Sequence, residues 1–92
     1  EKGEPPLTEM SLKIRLRGIL SSGPDGMERR VNEMVWKRKD LVKVKETLTM
    51  LRKMVLCGHP SIAFRTSFNR ILNSVQCEMR RSFLGILDVP EI

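Results

Sequence analysis

Cysteine and histidine meet once in this chain, in Cys57-Gly58-His59, with a second cysteine at Cys77. These residue types ligate zinc, or pair as a thiolate and an imidazole for nucleophilic catalysis. A zinc site needs about four ligands, and neither a C-x-x-C nor an H-x3-H spacing helps to supply them. A Cys–His nucleophile needs its two side chains to converge with an orienting third group, which neighbours in one loop seldom do. The expectation is a helix-end loop, with both cysteines reduced and serving as small buried hydrophobes. The 11 acids are scattered, mostly beside Lys or Arg, with Glu33 and Lys37 at the favourable i,i+4 spacing. No pair of them stands out as general acid and base, and no phosphate-cradling glycine loop occurs. The chain is therefore read as non-enzymatic, with no cofactor and no metal.

The basic residues carry more signal. Residues 10–81 hold 16 Lys and Arg against six acids, while the two ends hold one Lys against five. Such a middle attracts polyanions. Lys37, Arg38, Lys39, Lys43 and Lys45 crowd together with Trp36 at their edge, and Arg29, Arg30, Arg52 and Lys53 extend the charge. On a helix they spread around the axis instead of sharing one face. That spread suits salt-sensitive contact with a phosphate backbone, and it also suits a solvated face that keeps a small domain soluble. Four aromatics and no Tyr make a poor stacking platform for single strands. Trp36, beside Val35 and Met34, is read as the rim of the core, and Phe64, Phe68 and Phe83 as core.

Six methionines among 92 residues offer adaptable apolar surface. A shallow Met/Leu/Phe groove with a basic rim would capture an acidic amphipathic segment, or bury itself against a second copy of the chain.

These residues have to be placed by elements of their own. EKGEPP reads as a solvated leader, and Thr8 as the cap of a first helix. MSLKIRLRGIL, residues 10–20, alternates like a strand, yet Leu12, Leu16, Ile19 and Leu20 also share a helical face. Nothing else alternates to pair with a strand at 10–17, so helix is preferred, with the lone strand as the minority reading. SSGPDG, residues 21–26, is read as a loop. An apolar stripe then runs helically over 27–56 with a gap at Lys37 and Arg38, where Asp40 could cap a second helix. Gly58 is expected to take a left-handed cap, and Pro60 to separate the next helix. Phe64, Phe68, Ile71, Leu72, Val75, Met79, Phe83 and Ile86 predict a helix over 61–86.

LRKMVLCG, residues 51–58, resembles a stretch in the central domain of transcription elongation factor S. TLTMLRKM, residues 47–54, resembles helical scaffold domains that bind disordered partners in chromatin. Neither eight-residue likeness assigns a family, and the second implies at most a protein partner.

The reading is an all-α bundle of three or four helices: a leader at 1–7, one domain at 8–88 and a tail at 89–92. No apolar run reaches the roughly 20 residues needed to span a bilayer, and the N-terminus lacks the pattern of a signal peptide. The expected role is that of a protein-interaction module within a larger nuclear or cytoplasmic protein. It binds an acidic partner or dimerises. The alternative is a nucleic-acid-binding domain using the basic face of residues 29–53.

Overall fold

The ambiguous stretch is helix. The structure, a computed structural model, describes residues 8–38 and 40–92; the leader 1–7 and Lys39 lie outside the described residues. Helix α1 (Glu9–Leu20) opens with a reciprocal cap, in which Thr8 Oγ1 accepts from the Ser11 amide and Ser11 Oγ from the Thr8 amide. This satisfies two amides near the helix start. Leu12, Leu16 and Ile19 are buried, whereas Met10 and Ile14 stay 66% and 59% exposed. A strand would have turned all four alternating residues to one side; the helix splits them.

Helix α2 (Gly23–Arg38) begins inside the stretch expected to be loop. Pro24 falls in its first turn, where a missing amide proton costs no helical bond. The turn shrinks to Ser21 and Ser22, whose hydroxyls donate to the carbonyls of Gly18 (2.7 Å) and Ile19 (2.6 Å). Met27, Val31, Met34 and Val35 form the buried face of α2. The gap at 37–40 is a true break. Helix α3 (Leu41–Cys57) is capped by Asp40, whose carboxylate accepts from the Val42 amide at 3.0 Å.

Val44, Leu48, Leu51 and Val55 fix the phase of α3 and turn Cys57 outward. Cys77, two residues from both Val75 and Met79, is likewise exposed on the fourth helix. The expectation of buried thiols is thus corrected, because each lies off its helix's apolar stripe. The left-handed residue closing α3 is His59 (φ 55°), not Gly58 (φ −89°).

Helix α4 (Ile62–Arg81) is capped by Ser61 and buries Phe68, Ile71, Leu72, Val75 and Met79, with Phe64 at the edge. It stops five residues short of the predicted end. The Phe83 amide donates to the Arg80 carbonyl (3.1 Å) and the Leu84 amide to that of Met79 (3.0 Å). This is the paired closure that ends a helix on a left-handed residue. Phe83 occupies that position (φ 58°) and is 95% exposed, and Ile86 is 62% exposed. Their match to the stripe is one of spacing only, and Phe83 is not core.

Helix α2 packs against both α1 and α4, while α1 and α4 do not meet. They flank α2 and α3 in a body measuring 38 × 30 × 18 Å, about two helix diameters thick along its shortest axis. After α4 the chain reverses and runs back as an extended strap between α3 and α4. Leu87 and Val89 are buried, and Ile92 packs on the core. The Leu87 amide donates to Gln76 Oε1 (2.7 Å). Asn69 binds both polar groups of Ile92, accepting from its amide (2.9 Å) and donating to its carbonyl (3.2 Å). Residues 89–92 are therefore packed parts of the fold. Among the described residues there is no strand and no helix long and apolar enough to cross a membrane.

Candidate partner-binding surface

Two concavities flank the α1–α3 side. The smaller, about 340 Å³, lies where α1, the end of α2 and the start of α3 come together. Arg15, Lys37, Arg38 and Lys43 line it with Met34, and Asp40 is its one carboxylate. Each is placed by local structure. Lys37 and Arg38 occupy the last turn of α2, where cations offset the negative end of the helix dipole. Asp40 is held as the α3 cap, and Lys43 follows within the first turn, beside the helix's positive end. The pocket thus gathers four cations and one carboxylate where the C-terminus of α2 meets the N-terminus of α3, so the two opposed helix ends offset one another and the side-chain charges set its sign. Among the described residues, Arg38 Nε is buried without a hydrogen-bond acceptor.

The larger concavity is a groove of about 1040 Å³ between α1 and α3. Leu12, Leu41, Val42, Met50 and Met54 give it apolar walls; Lys13, Lys45 and Lys53 stand on its rim with Glu9 and Glu46. Val42 is 64% exposed within it. Exposed apolar area ringed by polar side chains marks interaction surfaces.

The structure divides the basic residues singled out from sequence. Lys37, Arg38 and Lys43 meet at the pocket, and Lys45 and Lys53 flank the groove. Lys39 is outside the described residues. Arg29 and Arg30 are exposed on α2 and line neither concavity. Trp36 is half-buried against the core. Arg52 is committed to the strap, its Nε donating to the Pro90 carbonyl (2.9 Å) and its Nη2 to that of Glu91 (3.5 Å). Lys45 also reaches the strap, pairing with Asp88 at 3.7 Å.

Arg15 and Lys13 were missed. Once Leu12, Leu16 and Ile19 set the phase of α1, Arg15 falls beside the buried face and is carried toward a neighbouring helix. The alternating pattern hid that signal. Among the described residues, no three His, Cys, Asp or Glu side chains gather where they could hold a metal ion.

No family model, curated protein or solved structure matches the chain.

Proposed function

We propose that this domain is a non-catalytic interaction module of a larger nuclear or cytosolic protein, and that it captures an acidic, amphipathic protein segment on its α1–α3 side. The observation that carries this reading is the pairing of an apolar groove, whose rim carries three lysines and two glutamates, with a four-cation pocket, both bounded by α1 and α3. A helical ligand would lay apolar residues against Val42, Met50 and Met54, the groove-docking mode of amphipathic helices. Its carboxylates would meet Lys13 and Lys53 at the rim, and Arg15, Lys37 and Lys43 at the pocket. The apolar contacts would supply most of the affinity, while exposed lysines add about 1 kcal/mol or less each and mainly speed encounter.

The test is fluorescence anisotropy with a labelled amphipathic peptide carrying Leu and Phe at helical spacing and Asp and Glu between them. It is run beside labelled duplex and single-stranded DNA and RNA, at two salt concentrations. The reading expects peptide binding that Lys37→Ala and Lys43→Ala weaken modestly. Nucleic acid bound at about 50 mM salt, with an affinity that falls steeply as salt rises, would replace it with the phosphate-backbone alternative. Peptide that stays free at about millimolar protein would refute it.

A further inference from the structure

The strap is held as a bound peptide would be. Its polar clamps, Gln76 on Leu87, Asn69 on Ile92 and Arg52 on the Pro90 and Glu91 carbonyls, all come from α3 and α4. Leu87 and Val89 are buried members of the hydrophobic core beside those clamps. None of these contacts requires strap and groove to be parts of one molecule. They share a molecule only through the hinge Ser82–Ile86, a short and strained connection. Phe83 takes the left-handed conformation without being glycine (φ 58°), and Gly85 follows at φ 131° against the Leu41 side chain. The same hinge leaves Phe83 95%, Ile86 62% and Leu84 42% exposed. Short strained hinges favour exchange of the element they carry.

We propose that the α3/α4 groove also accepts the strap of a second copy of this chain, forming a strap-exchanged dimer. Every strap contact of the monomer is remade in the dimer with the partner's α3 and α4. The hinge straightens, Phe83 leaves the left-handed region, and the apolar hinge side chains of the two copies come within reach of one another. Opposing this, the monomer's own strap competes at an effective concentration of order millimolar. The strap lies between α3 and α4 and the peptide groove between α1 and α3, so this inference does not rest on the proposed function, although Lys45 and Leu41 touch both surfaces.

The experiment is sedimentation of the whole chain after refolding at two concentrations, with hinge variants. Wild-type chain refolded at about 1 mM should yield a dimer that persists on dilution, and chain refolded roughly a thousandfold lower should be monomeric. A chain lacking Phe83, Leu84 and Gly85 cannot return its strap to its own groove, and should dimerise at roughly a hundredfold lower concentration than wild type. A Gly/Ser insertion after Ser82 should restore the monomer. If the shortened chain does not fold, a mixture decides. Leu87→Asp/Val89→Asp chain, with its groove intact, should pair with Asn69→Ala/Gln76→Ala chain, with its strap intact, although neither pairs alone. Wild type that remains monomeric after refolding at about 1 mM overturns the proposal. So does a dimer that survives Leu87→Asp/Val89→Asp, which would be ordinary surface association.

Discussion

Replacing Phe83 with glycine should stabilise this protein, although it removes an aromatic ring. At φ 58° a residue with a Cβ is strained by about 1–2 kcal/mol, a cost glycine does not bear. Glycine loses more freedom on folding, which returns about 0.4–1 kcal/mol. The ring contributes little, because 95% of the residue is exposed. The balance is a gain of about 0–1.6 kcal/mol, centred on about 0.8 kcal/mol. For a domain of 92 residues the central value raises Tm by roughly 3–6 °C. Urea and thermal unfolding followed by far-UV circular dichroism would measure it, with Phe83→Ala as the control that removes the ring but keeps the Cβ. Alanine should lie within about 0.5 kcal/mol of wild type. Equal gains from glycine and alanine would locate the effect in the ring, not the backbone. A loss of more than about 1 kcal/mol on Phe83→Gly would refute the argument, since the ring would then be packed in solution.

Gly85→Ala should cost about 1–3 kcal/mol in the same assay, because its Cβ would sit 2.6 Å from Leu41 Cδ2 at φ 131°. Asp40→Ala should cost about 0.5–2 kcal/mol by uncapping α3. The same change removes the pocket's one carboxylate, so anisotropy should show tighter binding of the acidic peptide. Val42→Asp should leave unfolding within about 0.5 kcal/mol of wild type, since the side chain is exposed, yet weaken the acidic peptide about tenfold or more.

Helix existence was legible in the sequence wherever the apolar spacing and a cap agreed, as at Thr8 with Leu12 and Leu16, and at Asp40 with Val44 and Leu48. Helix ends were less so. At Gly23–Gly26 the turn-forming residues signalled a loop, but proline is equally at home in a first helical turn. At Phe83 the three-and-four spacing continued past the place where backbone closure had ended the helix. A phenylalanine in the left-handed position carries no local mark. The candidate site was half legible. Lys37, Arg38 and Lys43 cluster in sequence, but Arg15 joins them only through the crossing of α1 with α3. Arg52 looked like one more free cation until the strap, itself read as tail, supplied the carbonyls it binds.

Lys45 belongs to both surfaces of α3, since it lines the peptide groove and pairs with Asp88 of the strap. A ligand carboxylate that takes Lys45 must therefore compete with Asp88, and the two events are linked. The size of that linkage follows from exposure: the Lys45 and Asp88 side chains are 40% and 83% exposed at a 3.7 Å separation. A pair so accessible to water is worth about 1 kcal/mol or less. Coupling through it is bounded at about fivefold, and reciprocity sets the same bound in both directions. Asp88→Asn should thus tighten the acidic peptide by no more than about fivefold. It should also leave stability within about 1 kcal/mol of wild type, because Leu87, Val89 and the Asn69, Gln76 and Arg52 clamps still hold the strap. A much larger rise in peptide affinity would mean that the strap opposes the ligand by more than one ion pair, and that the two surfaces of α3 are not separate.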